Sequence, residues 1–167
     1  MSIEGSRART ANARRLLVLV GEDDPLDRRF IDAAWHEVGS DEIELRFVED
    51  GVQLVESLRE QTADGQRLAK RLDDLPRLIL LDLNMPRMDG HEVLRDIKSD
   101  PVLKRIPVVV LSTSSNERDI ARAYAAGANS YIVKPMTYEE LVKAIEGLNS
   151  YWFDLVQLPV RGDSQAR

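Results

Sequence analysis

The chain has 167 residues, 43% of them hydrophobic and 31% charged, which suits one globular domain with a substantial core and excludes a disordered or fibrous protein. A formal net charge of −6 leaves no basic face for nucleic acid beyond the N-terminal arginines, so direct DNA binding is not expected. Cysteine is absent, which excludes disulfides and thiolate zinc sites, and no apolar run approaches the ~20 residues that cross a bilayer.

Residues 1–14 are basic through Arg7, Arg9 and Arg14, and the apolar run that follows is too short, and meets acids too soon, for a secretory signal. They are expected to be a disordered extension ahead of a domain spanning 15–150, and a cytoplasmic location follows by default. Leu16-Leu17-Val18-Leu19-Val20-Gly21 reads as a strand and stops at Glu22-Asp23-Asp24-Pro25. Asp24 before Pro25 is a helix N-cap with proline at the first helical position. That leaves Glu22 and Asp23, carboxylates whose mutual repulsion is relieved mainly by a hard cation such as Mg²⁺. A helix follows from Pro25 to about Val38, with Phe30, Ile31, Ala34, Trp35 and Val38 at helical spacing. Ile43–Val48 alternates apolar with charged residues as an edge strand does. Gly51 to about Arg59 is a second amphipathic helix, and Glu60 to Pro76 is a polar stretch expected to be a solvated insertion.

Leu78-Ile79-Leu80-Leu81 is a continuous aliphatic strand, of the kind covered on both faces in a parallel sheet. It ends on Asp82 and breaks into the loop Leu83-Asn84-Met85-Pro86-Arg87-Met88-Asp89-Gly90. An isolated buried carboxylate is costly without a charged or hydrogen-bonding neighbour, so Asp82 either caps the turn or serves a ligand. A helix at His91–Lys98 leads to the strand Ile106–Leu111, which ends on the hydroxyl cluster Ser112-Thr113-Ser114. After a helix at Asn116–Ala126, the strand Ser130–Val133 ends on Lys134-Pro135. From Thr137 a last helix is expected to reach 158, on the order of 30 Å long. Its stripe of Leu141, Ile145, Leu148, Trp152 and Leu155 continues past 150, where its far end should overhang the domain unless the segment folds back over its own core.

Strands alternating with helices give an α/β fold, a doubly wound parallel sheet of five βα units in the flavodoxin-like order 2-1-3-4-5. The first and third strands meet at the switch point, which puts Glu22 and Asp23 beside Asp82. Singly, a strand-end Ser is often a cap and a Lys before Pro a solvated cation. An acid pair, a lone Asp, a hydroxyl and a Lys that each close a different strand are harder to assign to coincidence.

Glu22-Asp23, Asp82 with Met85-Pro86-Arg87-Met88-Asp89-Gly90, Ser112, Ala126-Gly127-Ala128 and Lys134-Pro135 together resemble the receiver domain of two-component response regulators, over roughly Arg15 to Ser150. The resemblance implies that Asp82 accepts a phosphoryl group from the phosphohistidine of a sensor kinase, with Mg²⁺ neutralising charge. It implies Asp23 and Asp82 as the principal side-chain metal ligands, Glu22 directly or through water, and the backbone carbonyl of Asn84. Lys134 would pair with the phosphoryl oxygens. Ser112, where the family more often has Thr, would swing onto the phosphoryl group and Tyr131 would follow inward. Such a chain is not an enzyme beyond its own phosphotransfer and dephosphorylation.

A haloacid-dehalogenase-like phosphatase also phosphorylates a strand-end Asp, but it wants a second Asp two residues on as general acid, and Asn84 stands there. A receiver degenerated into a binding module would lack one of the chemical groups, and all are present. Residues 151–167 read as an extension of the last helix and a tail, too short for a helix-turn-helix output domain, so the signal is expected to pass through the receiver's own surface. Tyr151, Trp152, Phe153 and Leu155 are the expected interface of a homodimer. This tail, the insertion and Arg105–Ser112 resemble the single-domain regulators that partner phytochrome-type kinases. Gly21 departs from the larger residue usual there and is expected to loosen the acid loop.

Overall fold

The computed structural model describes residues 15–39, 41–61, 67–69 and 75–158; the basic extension, most of the insertion and the tail from Pro159 lie outside the described residues. The apolar runs become β1 (Leu16–Gly21), β2 (Ile43–Val48), β5 (Leu78–Leu81), β6 (Val108–Ser112) and β7 (Ser130–Val133). They form one parallel sheet in the order β2-β1-β5-β6-β7, which is 2-1-3-4-5 when its own strands are counted along the chain.

The sheet has a core on each face because successive strand residues point to opposite sides. Leu19, Ile79, Leu81, Val108 and Val110 meet Leu54, Val55, Leu58, Val93, Leu94, Ile97 and Ala123 from α2 (Gly51–Leu58), α3 (Gly90–Ser99) and α4 (Glu117–Ala125). Val18, Val20, Leu78, Leu80, Val109 and Leu111 meet Ile31, Ala34, Trp35, Ile145 and Leu148 from α1 (Pro25–Val38) and α5 (Tyr138–Asn149). Among the described residues, each of α1 to α5 starts on a side chain that accepts an otherwise orphaned backbone N–H: Asp24, Asp50, Asp89, Asn116 and Thr137, with Asp89 and Glu92 closing a capping box. Among the described residues no helix is long and apolar enough to cross a membrane.

Three expectations are corrected. The polar insertion is not simply a solvated loop: α2 stops at Leu58 because Arg59 turns extended, and Arg59–Gln61 (β3) pairs antiparallel with Arg67–Ala69 (β4). The last helix does not run regularly to 158. It ends at Asn149 and widens into a π-helical segment, Ser150–Leu155, closed by Val156 N–H donating to the Tyr151 carbonyl at 3.0 Å. The wider turn shifts the phase of the apolar stripe. Trp152 and Phe153 are therefore half-buried against the α1/α5 core, while Tyr151 stays 49% and Leu155 71% exposed, so the expected overhang is in large part folded back on its own domain.

Gly21 does not loosen its loop. A Cβ there would lie 2.6 Å from Leu54 Cδ1 and 3.3 Å from Met85 Sδ, so neighbouring side chains already fill the space of the missing residue.

Candidate functional site

β5 carries Asp82 to the carboxyl end of the sheet, where its backbone N–H donates to the Gly21 carbonyl at 2.9 Å and ties it to the end of β1. The following loop can curl under it because residue 90 is glycine: a Cβ there would sit 2.5 Å from the Asp82 carbonyl oxygen and 2.6 Å from Leu83 Cα. Arg87 takes a left-handed backbone, φ 67°, and its Nη1 lies 3.0 Å from Oδ2 of the buried Asp50. Asp82 itself is buried at 6% exposure, Oδ1 accepting from the Asn84 N–H at 3.0 Å and Oδ2 from Lys134 Nζ at 3.0 Å.

Lys134 arrives from the end of β7, one strand beyond β6, its N–H bonded to the Ser112 carbonyl of β6 at 2.7 Å. Its ammonium donates to Glu22 Oε2 at 2.6 Å, Asp27 Oδ2 at 2.8 Å and Asp82 Oδ2 at 3.0 Å. An ammonium has three N–H donors, and all three end on carboxylates. Burial alone would push Lys134 down, but the hydrogen bonds to Asp27 and Glu22 and the charges of Asp82 and Glu22 outweigh it, holding Lys134 above the ordinary lysine range. Glu22 moves the other way for a carboxyl group, pushed up to about 7 chiefly by burial, with the Lys134 hydrogen bond opposing and the Asp82 charge adding.

The sequence-predicted acids converge. Ligand atoms of Glu22, Asp23 and Asp82 all lie within 4.8 Å of one another, two of the residues buried and Asp23 open to solvent. An all-oxygen carboxylate set at an open strand end suits a hard cation that keeps part of its water shell. Ser112 is fully buried and its Oγ accepts from the Ser114 N–H at 3.3 Å. Ser114 Oγ donates to Asp119 Oδ2 at 2.7 Å, and the Tyr131 hydroxyl donates to the Ser114 carbonyl at 2.8 Å. Ser112 and Tyr131 are thus joined through one residue of the loop that leads into α4.

Two residues of the site escaped the sequence reading. Asp27 is the third partner of Lys134. Arg28 holds the acid loop from beneath, Nη1 donating to the carbonyls of Glu22 and Asp23, both at 2.8 Å, and Nη2 to Glu49 at 3.0 Å. Both sit one helical turn past the Asp24 cap, where i+3 and i+4 side chains face back toward the preceding loop. That spacing was a signal available in the sequence.

Residues 18–146 match the family described as response regulator receiver domain. Response regulator Rcp1 of Synechocystis sp. is 38% identical over 149 residues, 89% of this chain and 96% of that protein. Among solved structures, the phosphorylated cyanobacterial phytochrome response regulator RcpA is 39% identical with a TM-score of 0.74, covering 87% of this chain and 99% of that one. The Mn²⁺-bound form of Rcp1 gives 38% and 0.73, covering 86% and 99%. With the strand order and the acid cluster already in place, this chain belongs to the family of response regulator receiver domains and is homologous there to the phytochrome response regulators.

Proposed function

We propose that this chain is the phosphoacceptor of a two-component pathway, phosphorylated on Asp82 by a sensor histidine kinase of the phytochrome type. The observation that carries the reading is Asp82 itself: a buried carboxylate at the end of a central strand, bonded to Lys134 and adjoining Glu22 and Asp23. A carboxylate oxygen of Asp82 attacks the phosphorus of a phosphohistidine; an O–P bond forms as the P–N bond breaks, and the imidazole nitrogen keeps the electron pair. Lys134 pairs with the phosphoryl oxygens as a compact charge. Asp23, Asp82, Glu22 and the backbone carbonyl of Asn84 would hold Mg²⁺, which when bound supplies charge neutralisation for the transferring group. Ser112 must leave the Ser114 N–H to bond a phosphoryl oxygen, which loosens the loop that Tyr131 grips. The only chemistry is the chain's own phosphotransfer and dephosphorylation.

Phe30, 43% exposed on α1, and Met136 at 94% line a cavity of about 320 Å³ together with Asp27 and Lys134, and Leu26 is 53% exposed on the same helix. An apolar rim beside the reacting carboxylate suits the helical surface of a kinase. Residues 15–150 form the receiver and 151–167 its extension. The exposed Tyr151 and Leu155, with half-buried Trp152 and Phe153 behind them, are the patch proposed to join two copies. The cytoplasm is the compartment in which such a kinase would meet it.

Phosphorylation by acetyl phosphate with Mg²⁺ tests the reading. Wild type should take up a hydroxylamine-sensitive phosphate and Asp82→Asn, an amide of the same shape and a far poorer nucleophile, none. Uptake by the Asn variant at the wild-type rate removes Asp82 from the role.

A further inference from the structure

Lys134 is saturated. Its three N–H groups end on Glu22, Asp27 and Asp82 at 2.6, 2.8 and 3.0 Å, and only 12% of its side chain reaches solvent. A phosphoryl oxygen can bond this ammonium only by displacing one of the three carboxylates. Asp82 gives up its negative charge as it is phosphorylated, so its own hold on the ammonium weakens with the reaction and Glu22 and Asp27 remain as the competing carboxylates. Glu22 has a side chain only 2% exposed, also accepts a backbone N–H, and belongs to the acid cluster that could hold a cation. Asp27 differs on each count. It is 39% exposed, lies outside that cluster and sits in the first turn of α1, where the helix dipole still stabilises its charge without the ammonium.

We propose that Asp27 is a positioning residue that occupies Lys134 in the resting protein and releases it, by turning out to solvent, when a phosphoryl group arrives on Asp82. The inference rests on the phosphoacceptor reading and adds a group that sets how readily the reaction runs. With acetyl phosphate, an oxygen of Asp82 forms the new bond to phosphorus, the bond between phosphorus and the acetyl oxygen breaks, and acetate leaves with the electron pair. Asp27 touches none of these atoms. It competes with the phosphoryl oxygens for the ammonium and places a negative charge near them.

Two measurements on wild type, Asp27→Asn and Asp27→Glu test this: the initial rate of phosphate uptake from acetyl phosphate, and the affinity for beryllofluoride with Mg²⁺ by calorimetry. Asp27→Asn should raise both about two- to fivefold, the range an ion pair with one half-exposed member supports, and Asp27→Glu should return both toward wild type. A lost structural contact would lower both and would not be rescued by charge. Should Asp27→Asn fail to fold, Asp27→Ser, small, polar and uncharged, reads the same two quantities. Equal or lower values in the folded uncharged variant overturn the inference while leaving the phosphoacceptor reading intact. A wild type that neither takes up phosphate nor binds beryllofluoride overturns both.

Discussion

Replacing Lys134 with Met keeps the aliphatic stem packed and deletes only the ammonium, so it isolates what that charge does for the resting fold. Three carboxylates that converge on it within 3.0 Å lose their common partner. Removing one member of a buried ion pair costs ~3–5 kcal/mol. Here two of the three stranded groups can relieve themselves. Asp27, 39% exposed, turns to water, and Glu22, pushed up to about 7 even with the ammonium present, takes a proton. Asp82 is left as the one buried charge of the three, which brings the cost to or just below the bottom of that range, ~2–3 kcal/mol near pH 8. For a domain of this size each kcal/mol moves the midpoint by ~2–4 °C, so the variant should melt roughly 5–10 °C below wild type in EDTA. The sign with pH follows from Glu22: its folded pKa lies above the unfolded value of 4.5, so between the two the folded state binds the extra proton, and stability gained from it grows as pH falls. The deficit of the variant should therefore shrink near pH 6. Mg²⁺ at about a hundred times its Kd should restore ~2.7 kcal/mol by binding only the folded state. Thermal unfolding in EDTA at both pH values and with added Mg²⁺ measures all three. A variant that melts with wild type in EDTA at pH 8 refutes the idea that this ammonium compensates buried charge.

Glu22 must shed its proton before its carboxylate can serve a cation, so Mg²⁺ affinity should rise with pH through about 7, and Glu22→Gln should flatten that slope; calorimetry at pH 6 and 8 reads both. Phe153→Ala should lower the unfolding free energy in urea by ~1–2 kcal/mol, a fraction of the cost of a fully buried Phe, because Phe153 packs on its own core. A Phe153 variant as stable as wild type would return the segment to an overhang. Leu155→Ser should leave stability unchanged but weaken self-association in sedimentation, and a wild type that sediments as a monomer removes the dimer.

The strand ends were legible because each is an apolar run stopped by a single chemical group, and a parallel sheet has only one rim where such groups can meet. Asp82, Glu22, Asp23, Ser112 and Lys134 all follow from that rule. The hairpin of β3 and β4 was not legible because its strands are only three residues each, Arg-Glu-Gln and Arg-Leu-Ala, too short for any alternation to distinguish them from loop. Nor was the π-helical segment: an apolar stripe drawn at α-helical spacing carries no mark of where the turn widens, and only the Val156-to-Tyr151 hydrogen bond reveals it. Gly21 misled for a related reason. A missing side chain reads as slack until Leu54, distant in sequence, is seen to fill the gap. Asp27 and Arg28 stood in plain view on α1, but their partners Lys134 and Glu49 come from other elements, so only the assembled tertiary structure gives them a task.

The grip of Arg28 on the acid loop also bears on which ion that loop can accept. Calcium gathers six to eight oxygens and commonly recruits backbone carbonyls to reach that number, whereas magnesium is content with a few protein oxygens and keeps its waters. The carbonyls of Glu22 and Asp23, the two nearest the acid cluster on that strand end, are each bonded to the same guanidinium at 2.8 Å. Each of these carbonyls already has a lone pair engaged by the guanidinium, which leaves the side chains as the readier ligands on this loop. In the proposed cation site the bias toward the smaller ion would then come from an arginine that never touches the metal.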